Sequence, residues 1–409
     1  MDTTTFKHPP YLKRELYLSR IRPFIGRDLI KVLTGLRRSG KSVMLELIKD
    51  ELVEHGIAPE QFIHINFDSA LLPFPLTRQG AFDYIRAKVE AGAGQFHVFL
   101  DEIQDLPEWE KMVNSLMIDF DADIYITGSN AKLLSGELAT HLTGRYIQVK
   151  ILPFSYAEFL EVHKAENTRG NFELYLLRGG MPFLNVESIS MERAREYLLD
   201  IYETIVSKDI VSRYEVRDIE LLRRILLFFF SNIGNVFSAK SIIKFLKSEY
   251  RSSSNETLYN YIEYAKTAHL LYQVPREGLA GKKHLHFQEK IFVADTGLRN
   301  ALLHRGLEDI GQLLENAVYL ELLRRGYNVT VGKIGEQEID FVASGAKGKF
   351  YIQVCYILYD KEVLRREFSP FEKIPDNEPK YVVSMDETNF SHNGYKHYNI
   401  RDFLLSDDF

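Results

Sequence analysis

Gly35-Leu36-Arg37-Arg38-Ser39-Gly40-Lys41-Ser42 decides how the rest of the chain is read. It fits G-x-x-x-x-G-K-[ST] at every fixed position. Leu29 to Leu33 predicts a strand before it, and Ser42 to His55 carries apolar residues at helical spacing up to Gly56. A strand, a glycine-rich loop and a helix N-terminus suit a phosphate chain, because the turned backbone aims consecutive N–H groups inward and the helix end is positive. Gly35, Leu36, Arg37, Arg38, Ser39, Gly40 and Val43 are expected to line the cradle. Lys41 is expected to reach the β- and γ-phosphates, and Ser42 to offer its hydroxyl to magnesium.

Bulk properties bound what surrounds this loop. With 409 residues the chain is too long for one core and predicts two or three domains. Hydrophobic residues at 45% and charged residues at 26% supply packed cores and exclude global disorder. A net charge of −6 gives no overall case for nucleic acid, so any basic surface must be local. A single cysteine, Cys355, excludes an internal disulfide framework and a cysteine-based zinc site, and fits a reducing compartment. No N-terminal signal pattern is present. The most apolar run, Leu221 to Phe230, is short and broken by Arg223 and Arg224, so the expected location is cytoplasmic, with no membrane partner.

From Asp28 to about Ser155, strands alternate with helices, which predicts an α/β fold with a parallel sheet covered on both faces. The expected strands are Ile30–Thr34, Phe62–Phe67, His97–Asp101, Ile124–Thr127 and Tyr146–Ile151. The third runs into Asp101-Glu102. After a phosphate loop, such a pair divides the work: Asp101 completes the metal shell and Glu102 orients and activates water. Trp109 reads as a packing anchor. Asp68 either faces the pocket or caps a turn.

From Pro153 to about Ser212 the pattern is helical, interrupted by Arg178-Gly179-Gly180-Met181-Pro182, a hinge-like turn whose Arg178 either touches nucleotide or ends a helix. Leu221–Phe230, Ser238–Lys247 and Glu256–Ala268 then predict three helices. Two short strands at Leu270–Val274 and Leu285–Phe287 flank a Gly-rich basic tip. This is the outline of a winged helix, whose third helix would enter a major groove. Between Val211 and Lys290, 13 Lys+Arg stand against 8 Asp+Glu, so the basic balance of the chain is concentrated here. The C-terminal part opens with a helix over Gly311–Arg325 and continues as strands. Glu315, Asp340 and Gln353 fall where a magnesium nuclease would place acids, but Gln353-Val354-Cys355 stands where [DE]-x-K is expected. A binding or architectural role is the expectation for this part.

Taken together, GLRRSGKS, FLDEIQ, ITGSNA, LTGRY, LPFSYAEFL, RGGMP, LLENAVYLEL, EIDFV and YIQVCY resemble the prokaryotic ATPases that join an AAA-type P-loop module to a C-terminal restriction-endonuclease-like domain. The resemblance implies a P-loop core over 1–155, a helical lid over 156–212, a winged helix over 213–295 and a catalytically degenerate endonuclease-like domain over 296–409. It implies the additional-strand, catalytic-glutamate division of these enzymes, with Ile63–Phe67 as the further strand. It makes Ser129 and Asn130 candidates to sense the γ-phosphate, or to cap the following helix, and Arg145 either a finger for a neighbouring subunit's nucleotide or a surface charge. ATP and Mg²⁺ are the implied ligands. Hydrolysis would move the lid and winged helix relative to the nucleotide domain. Three readings of the output follow: binding or remodelling of double-stranded DNA, a signalling or defence switch in which nucleotide state controls assembly with a protein partner, and an ATP-gated nuclease; a homo-oligomer is implied if Arg145 acts in trans.

Overall fold

The computed structural model describes residues 11–92, 94–130, 144–187, 189–248, 254–279 and 284–409. The chain divides into two compact units, one ending at Ile151 and one running from Leu152 to Phe409. The stretches expected as lid, winged helix and C-terminal domain all lie in the second unit.

The first unit is a five-stranded sheet with every pair parallel. Its strands are β1 (Ile30–Thr34), β2 (Phe62–Asn66), β3 (Phe96–Asp101), β4 (Ala122–Gly128) and β5 (Tyr146–Lys150), in the order β2-β3-β4-β1-β5. β1 and β3 are buried along their whole length, as expected of near-continuous apolar runs covered on both faces. One face packs Val32, Val98 and Ile126 against Trp109, Met112 and Leu116 of the helix Trp109–Asp119. The other packs Leu33, Phe99 and Tyr125 against Met44 and Ile48 of the helix Lys41–Glu54 and against Tyr17 and Ile21 of an N-terminal helix, Glu15–Ile21. The expected further strand is corrected by this order. β2 lies at the edge, and β4, which follows the Asp-Glu pair in sequence, is the strand inserted between β1 and β3.

The second unit begins with the helices Tyr156–His163, Arg169–Arg178, Pro182–Val186 and Met191–Thr204, the last continued by a π-helical segment, Ile205–Ser212. The RGGMP turn is fixed in place. Gly179 adopts φ +77° where a Cβ would meet the Asp295 carboxylate, and the Gly180 N–H donates to Asp295 Oδ2 at 2.6 Å. Arg178 is buried and donates to the carbonyls of Leu184 and Ile189, which accounts for its charge without a nucleotide.

Three helices follow, Ile219–Ser231, Ala239–Ser248 and Asn255–Thr267, the last capped by the Ser254 hydroxyl. A short β6 (Val236–Phe237) separates the first two. The hairpin after them is longer than expected: β7 is Leu271–Gly278 and β8 is His284–Val293. Pro275 does not end β7, because the register shifts between Val274 and Arg276 and the missing N–H falls at that irregularity. The expected basic tip at residues 280–283 lies outside the described residues. β7 also pairs in parallel with β9 (Asn328–Ile334), so the hairpin belongs to the same eight-stranded sheet as β10 (Gln337–Gly345), β11 (Gly348–Val354), β12 (Lys380–Ser384) and β13 (Lys396–Asn399). Strands on both sides of residue 295 therefore belong to one sheet. No described helix is long and apolar enough to cross a membrane.

Candidate functional site

All five strands of the first sheet run the same way, so the ends of β1, β3 and β4 meet at one edge, where ligands of open parallel sheets bind. At the end of β1, Gly35 has φ +152° and a Cβ there would lie 2.1 Å from the Ile151 carbonyl oxygen; only glycine fits. Gly40 is left-handed, φ +98°, and delivers the chain into the helix beginning at Lys41. The first-turn amides of that helix, from Lys41 to Val43, have no intrahelical acceptor. Val43 turns its side chain to the core, so its contribution to the loop is backbone. Arg38 and Ser42 are exposed, and Arg37 is half-buried.

Lys41 is buried. Its ammonium lies 3.3 Å from the Gly35 carbonyl oxygen, 3.2 Å from that of Leu36 and 3.6 Å from Glu102 Oε1. The Ser39 side chain is fully buried and its hydroxyl has no hydrogen-bond partner. An orphaned hydroxyl inside a glycine-turned loop with a buried ammonium is the donor set a phosphate chain requires, so the residues present fit a nucleotide.

Asp101 and Glu102 end β3. Glu102 has φ +50°, a turn that separates the two side chains. Thr127, at the end of β4, links them: its hydroxyl accepts the Glu102 N–H at 2.9 Å and donates to Asp101 Oδ1. Glu102 Oε2 accepts the Gln104 amide at 2.6 Å. Burial pushes the Glu102 carboxyl upward, but the Lys41 ammonium, the Gln104 amide, Arg37 and the Ser129 backbone N–H outweigh it and hold the carboxyl below its ordinary range. Glu102 is thus an ionised acid poised beside the loop lysine. Ser129 and Asn130 are buried, and Ser129 acts on Glu102 through its backbone.

Arg145 is exposed and precedes β5, pairing its carbonyl with the Ile30 N–H at 2.9 Å. It lies at the edge of the sheet opposite the loop, roughly 16 Å away along a five-residue strand. The glycine-turned loop of its own unit is out of reach. Asp68 is exposed, and its N–H is taken by the Asn66 side chain, the turn alternative. Two residues were missed. Thr127 was read only as part of a strand. Arg14 is buried, lies over the Tyr17 ring and donates to the Ser39 carbonyl at 3.3 Å, so the N-terminal helix braces the loop.

In the second unit, Glu315, Asp340 and Gln353 do come together. The Asp340 N–H donates to Gln353 Oε1 at 2.7 Å, and Asp340 Oδ2 accepts the Val354 N–H at 2.9 Å. Gln353 also approaches Glu367 at 3.3 Å. Cys355 is buried beside them, its thiol raised by burial. The expected groove-reading helix, Asn255–Thr267, exposes Glu256, Tyr259, Asn260 and Glu263, with no cation among them. The lysines are on the preceding helix, where Lys240, Lys244 and Lys247 are exposed at one-turn spacing.

Comparison with known proteins agrees with the loop geometry. Residues 27–160 match an AAA domain, and residues 169–309 match a domain of unknown function (DUF8612). An uncharacterized protein of Haemophilus influenzae is 36% identical over 381 residues, 91% of this chain and 93% of that protein. One from Methanocaldococcus jannaschii is 33% identical over 388 residues, covering 88% and 83%. Among solved structures, the chain is similar to the Walker-type ATPase of Pyrococcus abyssi, with TM-score 0.48, 16% identity and coverage of 72% and 96%. It is also similar to the ORC2 protein of Aeropyrum pernix, with TM-score 0.42, 11% identity and coverage of 78% and 97%.

Proposed function

The chain belongs to the family of these Haemophilus and Methanocaldococcus proteins and carries an AAA domain, and we propose that this domain binds and hydrolyses ATP. One observation carries the reading: an ionised Glu102 and a buried Lys41 ammonium stand 3.6 Å apart at the mouth of a glycine-turned loop.

Lys41 is held by two carbonyl oxygens of its own loop, weak partners that it can exchange for phosphate oxygens. The loop amides and the orphaned Ser39 hydroxyl bind and orient the phosphate chain. Ser42 and Asp101 would hold Mg²⁺, with the Thr127 hydroxyl fixing the Asp101 carboxylate. When bound, that ion supplies neutralising charge for the phosphates. Glu102 polarises the attacking water, held in orientation by Gln104 and by the Ser129 N–H. Asn130 senses the γ-phosphate, and Arg145 serves a neighbouring copy's nucleotide. Steady-state ATP hydrolysis with Lys41→Ala as the blank tests the proposal; equal turnover in the two proteins would refute it.

Coupling to duplex DNA is the output we favour, through the Lys240, Lys244 and Lys247 stripe rather than through the acidic outer face of Asn255–Thr267. Low-salt duplex should raise ATP turnover in the wild type and leave a triple Lys→Glu variant unmoved. No response in the wild type turns the output to a protein partner.

A further inference from the structure

β8 carries Lys290 into the acids of the second unit. Its side chain is about 3% exposed, and its ammonium lies 2.7 Å from Glu338 Oε1, 3.0 Å from Glu315 Oε2 and 3.2 Å from Asp340 Oδ1. An ammonium has three N–H donors, and here each has its own carboxylate. The acids come from two elements, the helix Ile310–Arg324 and β10, and the two on β10 are also anchored elsewhere. Glu338 Oε2 takes Arg276 at 2.7 Å, and Asp340 Oδ2 takes the Val354 N–H. A cavity of about 400 Å³ opens beside them, lined by Glu315, Glu338, Asp340, Gln353 and Glu367.

Three carboxylates from separate positions around one point is how proteins hold hard divalent cations, which take oxygen ligands at about 2.0–2.6 Å. Here the point is filled by nitrogen at ammonium distances. We propose that this cluster is a divalent-cation site with a built-in cation, in which the Lys290 ammonium stands where the metal ion would and keeps Mg²⁺ and Mn²⁺ out.

Among the described residues of the native chain no group of three or more His, Cys, Asp or Glu side chains is set to hold a metal ion. With every donor of Lys290 engaged, none remains to stabilise an attacking hydroxide. Metal-assisted cutting of a phosphodiester is therefore not expected of the native pocket.

The test is the number of Mn²⁺ ions bound per chain, read by electron paramagnetic resonance without nucleotide, in four proteins: wild type, Asp340→Asn, Lys290→Gln and the double variant. Any ion held by the phosphate-loop unit is common to all four and cancels. Wild type and Asp340→Asn should bind equal numbers. Lys290→Gln should bind one more, with a melting temperature that rises on adding Mn²⁺, and the double variant should lose both effects. An extra ion in the wild type relative to Asp340→Asn would overturn the proposal, as would a folded Lys290→Gln that gains none. If Lys290→Gln does not fold alone, refolding in Mn²⁺ decides: recovery that Asp340→Asn abolishes supports the latent site, and failure with metal present removes it.

Discussion

Lys41 and Lys290 are both buried ammonium groups beside carboxylates, one in each unit, and they are held in opposite ways. Lys41 touches two loop carbonyls and has one carboxylate at 3.6 Å. Lys290 has three carboxylates within 3.2 Å. The first ammonium sits on neutral partners in a glycine-turned loop, which the phosphate of the proposed function would outcompete. The second is bound by charge on every donor, and a buried ion pair loses several kcal/mol when one partner is withdrawn. A lysine near acids is therefore not a functional sign by itself. What decides is whether its donors are engaged by groups it can afford to leave.

The sharpest way to break this contrast is at Lys41. Lys41→Ala removes hydrogen bonds to charged groups worth about 1.5–3 kcal/mol each, so nucleotide affinity should fall by about 100-fold or more in a fluorescent-nucleotide titration. Retained affinity would mean that the loop amides alone carry binding. Next in size is Glu102→Gln. It keeps the shape and the Gln104 contact but removes the charge that polarises water, so turnover should fall by roughly 10²–10⁴-fold while ATP stays bound. Wild-type turnover in that variant would reassign the base.

Thr127→Val is smaller and tests the link between the two acids. Removing the hydroxyl leaves the buried Glu102 N–H without its acceptor and frees Asp101, at about 1–3 kcal/mol of stability. Turnover should drop by about 10-fold, against no change for Thr127→Ser, which restores the oxygen. Equal loss in both variants would point to packing instead.

The first unit was legible because its strands are buried on both faces and read as unbroken apolar runs between loop signals; β1 was placed to the residue. Lys41, Ser42, Asp101 and Glu102 were singled out as candidates by motif spacing, a local property. Thr127, Arg14 and Lys290 act at long range, and nothing beside them in sequence reveals it. Lys290 sits in Glu289-Lys290-Ile291, and its partners follow 25 to 50 residues later. The strand that carries it was itself cut short: Pro275 and the glycines after it read as a loop, whereas the register shift lets β7 and β8 run through. The sheet joining that hairpin to β9 was equally hidden, since a parallel pairing between residues 276–278 and 331–333 leaves no mark in either segment.

Glu102 and Asp295 extend the contrast to pH. Glu102 is half-buried beside an ammonium and held low, whereas Asp295 is buried with only backbone N–H donors and is pushed up to about 6, burial outweighing the N–H groups of Gly180, Leu298 and Gly297. Unfolded, an aspartate titrates near 3.9. Between about pH 4 and 6 the folded second unit therefore holds a proton that the unfolded chain has lost, and stability falls as pH rises through that window. For Glu102 the sign is reversed: a carboxyl held low adds stability that disappears on acidification. Urea unfolding of wild type and Asp295→Asn at steps from pH 4 to 7 separates the two. The amide loses one acceptor for the RGGMP turn, a constant offset at every pH. The difference between the proteins should nevertheless change by about 1–3 kcal/mol across the window, in favour of the variant at the higher pH. A difference that stays flat would mean that the Asp295 carboxylate is as well satisfied by three backbone amides as Glu102 is by a lysine.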